Sequence, residues 1–190
     1  MSGRFLLALA ASAAGLSAQS LVEGLPESRV RVLIYEDLQC PDCAAFRRMM
    51  DEKILPRYAG QVAFVHRDFP LAKHAWARKA AIAARFFYGI KPEMSLAYRR
   101  HVMASIKETT PENFNEKLAQ FARDQGVDAQ RALAALDDPK LASLVERDFQ
   151  DGVARGVSKT PTVFVNGKPF IEQFSFEEVS QALDEALAGR

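Results

Sequence analysis

The sequence predicts an α/β protein whose sheet is split by a helical insertion. Runs of β-branched and apolar residues, typical of strands, occur at residues 30–35, 61–68 and 162–171. The long segment at residues 72–156 shows helical periodicity instead. Its apolar stripes can cover the faces of a sheet, which favours this fold class.

The first predicted strand, at residues 30–35, leads into a predicted helix at residues 43–58. Apolar residues recur at helical spacing in the second segment, namely at Phe46, Met49, Met50 and Ile54. A second strand, at residues 61–68, is expected to end at Phe69 and Pro70.

Five helices are predicted between the second and third strands. Their limits follow from glycine, proline and capping residues. They cover residues 72–88, closed by Gly89; residues 92–105; a segment opened by Thr110 and Pro111; a short segment from Asp128; and a segment that starts at Asp138 and Pro139 and ends at Gly156.

A hairpin and a helix are predicted at the end of the chain. The Asn-Gly pair at residues 166–167 is a two-residue hairpin signal, so residues 168–171 are expected to pair antiparallel with residues 162–165. Ser175 and Glu178 form a predicted capping box for the last helix.

The only two cysteines, Cys40 and Cys43, enclose Pro41 and Asp42 between the first strand and the first helix. At a helix N-terminus, the unpaired amides and the macrodipole favour an anion, so a Cys40 thiolate forms readily and can attack a disulfide. Cys43 lies one turn along the same face and can resolve the mixed disulfide. Pro41 suits the first helical turn, because its missing N–H needs no partner there. The spacing therefore predicts thiol:disulfide exchange.

Three other roles of the cysteine pair are disfavoured. A structural disulfide between residues three apart closes too short a loop to stabilise the fold much. Zinc needs about four ligands, and His66, His74 and His101 lack the paired spacing that would complete such a site. Haem attachment requires histidine after the second cysteine, where the chain has Ala44. We therefore predict no metal and no other cofactor.

The composition indicates one good core and no nucleic-acid partner. The 190 residues are 48% hydrophobic, and 25 basic against 24 acidic side chains leave a net charge of +1. The basic cluster of Arg99, Arg100 and His101 is short and lacks interleaved aromatic residues, so it predicts a solvated helix face.

Residues 1–20 are predicted to form a secretory signal. Arg4 precedes an apolar stretch at residues 5–16, which is too short to span a bilayer comfortably, and small and polar residues follow. An ordinary buried or frayed N-terminal helix is the alternative. A signal would direct the chain to the periplasm or outside the cell, where disulfide exchange has substrates.

Three ordered motifs resemble the DsbA-like branch of the thioredoxin superfamily. The first runs from Val32 through Cys43. The second is His-Arg-Asp-Phe-Pro-Leu at residues 66–71, followed by His74 and an alanine-rich helix. The third is the segment at residues 156–167. The match covers nearly all of the chain after the leader.

The resemblance implies a thioredoxin fold, in which a central mixed β-sheet is flanked by helices. Residues 21–75 and 157–190 would form the thioredoxin domain, and residues 76–156 the helical insertion. This division is an expectation from the family pattern.

The resemblance also implies the roles of individual residues. Cys40 would be the nucleophile and Cys43 the resolving thiol, with Pro161 as a cis-proline that faces them. In the family, the residue before this proline exposes its backbone to a substrate peptide. Thr160 is therefore the expected substrate-binding residue together with Pro161.

Two positions depart from the family pattern. Asp42 lies where strong oxidants of the family commonly carry histidine, and a carboxylate beside a thiolate raises the thiol pKa. Ile34 lies six residues before the first cysteine, where some relatives hold a buried acid. Glu36 and Asp37 are candidates to relay the proton of the second cysteine, with Asp37 preferred; a strand-end or turn role is the alternative for each.

These features predict a secreted or periplasmic thiol:disulfide oxidoreductase of the oxidising DsbA type. It would exchange disulfides with unfolded or cysteine-containing proteins through a mixed disulfide at Cys40. A membrane or soluble redox partner would then reoxidise its cysteine pair. A disulfide reductase or isomerase is the alternative within the same chemistry. A glutathione-dependent isomerase on the related fold is a third possibility, although a second thiol would be superfluous there. A redox-inert peptide-binding module is the alternative of another class.

Overall fold

The computed structural model describes residues 20–189, so the predicted secretory leader lies outside the described residues except for Ser20. Five strands and eight α-helices occur in this part of the chain. The strands are β1 (Leu21–Gly24), β2 (Arg31–Glu36), β3 (Ala63–Asp68), β4 (Thr162–Val165) and β5 (Lys168–Ile171). The helices are α1 (Pro41–Met49), α2 (Leu55–Tyr58), α3 (Ala77–Ile90), α4 (Pro92–Ala104), α5 (Phe114–Asp124), α6 (Ala129–Ala134), α7 (Pro139–Ala154) and α8 (Phe176–Leu187).

The five strands form one mixed sheet in the order β1-β3-β2-β4-β5. Strands β2 and β3 are parallel, and the other neighbours are antiparallel. The parallel register brings the last residues of β2 and β3, Glu36 and Asp68, side by side. Helices α3 to α7 lie between β3 and β4 in the chain, so the predicted α/β class with a helical insertion is confirmed.

Several local predictions are confirmed because they depend on neighbouring residues alone. Asn166 and Gly167 form the hairpin turn with φ values of 48° and 82°, as a turn of type I′ requires. Ser175 and Glu178 form both bonds of the capping box that starts α8. Within residues 20–189, every helix is too short or too polar to span a membrane.

Strand β1 was not predicted, because it has only four residues and ends in glycine. It pairs with β3 at the sheet edge, with Leu21 opposite His66. Gly24 has a φ of +90°, and a Cβ there would lie 2.4 Å from the carbonyl oxygen of Val62. Glycine is therefore required where β1 ends.

The helix predicted at residues 43–58 starts earlier and is interrupted. It begins at Pro41, after Cys40 as the N-cap residue, and α1 and α2 are separated by one π-helical turn at Met50–Ile54. Pro56 has no N–H to donate, so the α-helical hydrogen-bond pattern is broken just before it.

Helix α3 begins at Ala77, whereas the prediction began it at residue 72. Residues 71–76 form turns that are bound to the segment before the cysteines. The N–H of Leu71 donates to the Asp37 carboxylate, and the N–H of Trp76 donates to the Gln39 side chain, both at 2.7 Å. These bonds replace the first helical turn.

Two large apolar clusters hold the sheet and the insertion together. One lies between the cysteine motif and the insertion, where Trp76 stacks on Phe114 with ring centroids 5.7 Å apart. The other fills the space between the sheet, helices α1 and α2, and helix α8, around Ile34, Phe64 and Leu183. The cysteine motif is therefore packed on both sides.

The prediction that Arg99 belongs to a solvated face is wrong, because its side chain is only 3% exposed. Its guanidinium donates to Glu36 at 2.8 Å and also to Asp68. Arg85 of α3 likewise joins Asp68 to Asp148 of α7. Burial raises the pKa of Asp68, but the charges of Arg85 and Arg99 offset this and leave it below its usual value. These charge pairs hold α3, α4 and α7 to the carboxyl ends of β2 and β3.

Replacing Arg99 by leucine should leave the buried carboxylates of Glu36 and Asp68 without their shared counter-charge. We expect a loss of about 3–5 kcal/mol in the free energy of unfolding, measured by urea denaturation. Arg78→Leu is the matched control, since Arg78 and Glu146 form a pair whose side chains are 52% and 44% exposed. It should cost less than about 1 kcal/mol. Equal losses in the two variants would contradict the role of Arg99.

Candidate active site

Cys40 is placed by the turn that follows β2 and by the start of α1. Its backbone N–H donates to the carbonyl of Asp37 at 3.0 Å, and its own carbonyl accepts from Ala44 at 3.1 Å. Pro41 takes up the first helical turn, as predicted. The thiol therefore lies at the N-terminus of a helix, where free amides and the macrodipole stabilise a thiolate.

The sulfur of Cys40 also meets the segment that leads into β4. Its thiol donates to the carbonyl oxygen of Thr160 at 3.2 Å. The peptide bond between Thr160 and Pro161 is cis, as the resemblance implies. The buried Thr160 hydroxyl has no hydrogen-bond partner of good geometry within residues 20–189, so it is free to donate to a thiolate. The structure thus brings Cys40, Thr160 and Pro161 together.

The pKa of the Cys40 thiol is lowered to about 6. The hydrogen bond from the Cys43 thiol is the largest cause, and burial opposes it. The Thr160 side chain and the backbone N–H groups of Cys43 and Asp42 lower the pKa further. Cys40 is therefore mostly ionised at neutral pH and suited to attack a disulfide.

Cys43 has the opposite character. Its side chain is 1% exposed, and burial raises its pKa well above the usual value. Its hydrogen bond to Cys40 and the negative charges of Cys40 and Glu36 raise the pKa further, while the backbone N–H of Asp37 lowers it. Both cysteines are free thiols in this structure. The buried thiol thus acts as a hydrogen-bond donor to the ionised one.

Asp42 borders two grooves on the surface beside the cysteines. One groove contains Cys40 and continues along residues 71–73 and 158–160. The second is lined by Asp42, Ala45, Phe46, Met49, Glu172, Gln173 and Phe174. The two grooves share Asp42 and Glu172 in their walls.

The two acids that were candidates for proton relay have different surroundings. Glu36 is buried, and its carboxylate is bound by His66 at 2.7 Å and by Arg99 at 2.8 Å. The Asp37 carboxylate accepts from the N–H groups of Gln39 and Leu71 at 2.7 Å and from Nδ1 of His74 at 2.8 Å. Each acid is therefore fixed by partners of its own.

No contact was predicted for Gln39 or His74, although both bind residues next to the active site. Gln39 accepts from Trp76, and His74 contacts Asp37. The polar residues after β2 and the histidine after Pro70 were the available signal in the sequence. Among the described residues, no three His, Cys, Asp or Glu side chains are arranged to hold a metal ion.

Comparisons with known proteins agree with this geometry. A sequence model of a family described as thioredoxin matches residues 17–185. The chain is 26% identical over 173 residues to the Na(+)/H(+) antiporter NhaA of Herminiimonas arsenicoxydans, which covers 88% of this chain and 26% of that protein. It is also 26% identical over 173 residues to a Rickettsia prowazekii protein with the provisional name protein-disulfide oxidoreductase, covering 88% and 61% of the two chains. The chain spans about a quarter of the length of the antiporter relatives.

Two crystal structures show the same fold. A double cysteine-to-alanine variant of alpha-DsbA1 from Wolbachia pipientis is 21% identical and has a TM-score of 0.78, with 90% of this chain and 91% of that chain covered. Oxidised BdbD from Bacillus subtilis is 22% identical and has a TM-score of 0.78, with coverages of 90% and 94%. The family match over most of the chain, the mixed sheet with its helical insertion, and these neighbours lead to one conclusion: the chain belongs to the thioredoxin family and has the fold of its DsbA-like branch.

Proposed function

We propose that this protein is a thiol:disulfide oxidoreductase that exchanges disulfides with cysteine-containing proteins through Cys40. The observation that carries the proposal is the opposite acidity of two adjacent thiols. The pKa of Cys40 is lowered to about 6, whereas that of buried Cys43 is raised. This pairing provides one nucleophile that borders a surface groove and one protected resolving group. The name of the Rickettsia relative agrees with this chemistry.

In the oxidising direction, the reaction starts from a Cys40–Cys43 disulfide. A substrate thiolate attacks the Cys40 sulfur, forms a mixed disulfide, and expels Cys43, which takes up a proton. A second substrate thiolate then attacks the substrate sulfur of that mixed disulfide and expels the Cys40 thiolate. The substrate loses two electrons and gains a disulfide, and the enzyme is left as the dithiol. Because Cys40 has a low pKa, it leaves readily in the second step.

The proposed substrates are unfolded or partly folded proteins. The carbonyl of Thr160 lies at the Cys40 sulfur, at the start of the segment that enters β4. A peptide that binds there by main-chain hydrogen bonds would be accepted with little regard to its side chains. A separate redox partner, membrane-bound or soluble, would then reoxidise the enzyme. The predicted leader favours a periplasmic or secreted location for this cycle.

The two thiols should behave differently in trapping experiments. We expect Cys43→Ser to accumulate mixed disulfides with an oxidised protein substrate, because Cys40 attacks and nothing resolves the adduct. Cys40→Ser should accumulate none, since the remaining Cys43 thiol is only 1% exposed and its raised pKa keeps it protonated. Non-reducing electrophoresis after acid quenching measures the adducts. Equal trapping by both variants would refute the proposed roles, and trapping by neither would favour a redox-inert binding module.

The rate at which Cys40 attacks a disulfide should depend on pH with a midpoint near its pKa of about 6. Below this pH the thiol is protonated and the rate falls; above it the rate reaches a plateau. Thr160→Val removes a donor to the thiolate and should raise the midpoint by about one pH unit. Thiolate absorbance near about 240 nm provides an independent titration. An unchanged midpoint would exclude the Thr160 hydroxyl from the site.

Replacing the negative charge of Asp42 by a positive one should lower the pH midpoint of attack by Cys40, whereas Thr160→Val should raise it. Asp42→His replaces a carboxylate by a group that is partly cationic, so the Cys40 thiolate should be stabilised and its pKa lowered. Asp42→Asn is the matched control and should give a smaller decrease, because it removes the negative charge alone. A midpoint that is unchanged or raised in Asp42→His would mean that this side chain points away from the sulfur.

A further inference from the structure

We propose that Asp37 and His74 form a positioning pair for the resolving thiol, holding the turn before Cys40 so that the Asp37 backbone N–H donates to the Cys43 sulfur. The inference rests on the proposed exchange function and assigns roles within the same site. It differs from the expectation that the Asp37 carboxylate itself relays the proton of Cys43.

The first support is the way in which the carboxylate is occupied. Asp37 is 1% exposed, and its two oxygens accept from Gln39, Leu71 and His74 at 2.7–2.8 Å. A carboxylate offers about four acceptor sites, so most of them are in use. The side chain therefore fastens the turn to residues 71–74.

The second support is a matching bond two residues further along the chain. The side-chain oxygen of Gln39 accepts from the N–H of Trp76 at 2.7 Å. The segment at residues 37–40 is thus attached to residues 71–76 at two points, by Asp37 and by Gln39. The carbonyl of Asp37 also accepts from the N–H of Cys40, which ties this turn to the start of α1.

The third support is what this turn presents to Cys43. The N–H of Asp37 points at the Cys43 sulfur, with nitrogen and sulfur 3.4 Å apart. The negative charges of Cys40 and Glu36 act on this sulfur and oppose its ionisation. When Cys40 is held in a mixed disulfide, its charge is lost, and the Asp37 N–H remains as a donor to a Cys43 thiolate.

The step that this donor assists is the resolution of the mixed disulfide. Cys43 attacks the Cys40 sulfur, the bond from Cys40 to the substrate sulfur breaks, and the substrate leaves as a thiolate. The proton released by Cys43 ends on that departing thiolate or in water. The enzyme gains the Cys40–Cys43 disulfide and the substrate takes the two electrons, so no further reactant is needed.

The test uses an aromatic disulfide, 5,5′-dithiobis(2-nitrobenzoate), on the reduced protein in a stopped-flow instrument. The first release of coloured thiolate reports attack by Cys40, and the second reports resolution by Cys43. His74→Ala should slow the second release by about fivefold to tenfold, the effect of one lost hydrogen bond. His74→Asn keeps a donor near the position of Nδ1 and should restore the rate to within about twofold. His101→Ala, on the insertion, should leave both releases unchanged.

Gln39→Ala provides a second variant if His74→Ala fails to fold. It removes the second attachment of the turn at residues 37–40, so it should slow the second release as well. Because Gln39 has no titratable group, such slowing cannot result from a lost proton relay. Unchanged resolution in both His74→Ala and Gln39→Ala would overturn the positioning role. Equal slowing by His74→Ala and His74→Asn, with Gln39→Ala unaffected, would also overturn it in favour of proton relay. A wild-type protein without a fast first release would instead refute the proposed function.

Discussion

The bridge from Arg99 to Glu36 and Asp68 is the constraint on which the site depends. Parallel pairing of β2 and β3 places these two carboxylates side by side in the interior, where they would repel each other. Arg99, which comes from the helical insertion, donates to both and makes this arrangement stable. The insertion thus fixes the carboxyl ends of β2 and β3. The turn at residues 37–40, which leads to Cys40, continues from the end of β2. His66 adds a further contact to Glu36 at 2.7 Å.

The chemistry follows from the positions of the Cys40 and Cys43 sulfurs relative to the carboxyl ends of β2 and β3. Cys40 is at the helix N-terminus, where the Cys43 thiol, the Thr160 side chain and the backbone N–H groups of Asp42 and Cys43 act as donors and favour its thiolate. Cys43 is one turn further into the core, where burial keeps its proton in place. A single helical turn therefore separates the nucleophilic thiolate of Cys40 from the protonated resolving thiol of Cys43. The turn at residues 37–40 supplies a backbone donor, the N–H of Asp37, that reaches the second sulfur.

Local signals predicted much of the fold and the identity of the cysteines. The hairpin at residues 166–167, the capping box of α8 and the start of the motif helix depend on residues close together in sequence. The bridge from Arg99 to Glu36 spans 63 residues, and the bond from His74 to Asp37 spans 37. No local pattern encodes such pairs, so a buried arginine was mistaken for a solvated one.

The contact of Cys40 with Thr160 is a further pair that local sequence patterns could not predict. These residues are 120 positions apart, and their approach was expected only from the resemblance to a family. Strand β1 was missed for a related reason, because its four residues gain their structure from pairing with β3. The periodicity of a strand is weak evidence when the strand is this short.

The direction of electron flow is decided by how much the protein stabilises its dithiol form. A thiol with a pKa of about 6 is mostly ionised at neutral pH. Relative to an ordinary thiol, this favours the reduced enzyme by about 1.4 kcal/mol, equal to about 30 mV for two electrons. The most direct measurement is the reduction potential of the Cys40–Cys43 pair, from equilibration with glutathione buffers. A value less negative than about −270 mV, typical of thioredoxin, is predicted for an oxidase. A more negative value would contradict the oxidising role, and no equilibration would contradict disulfide exchange itself.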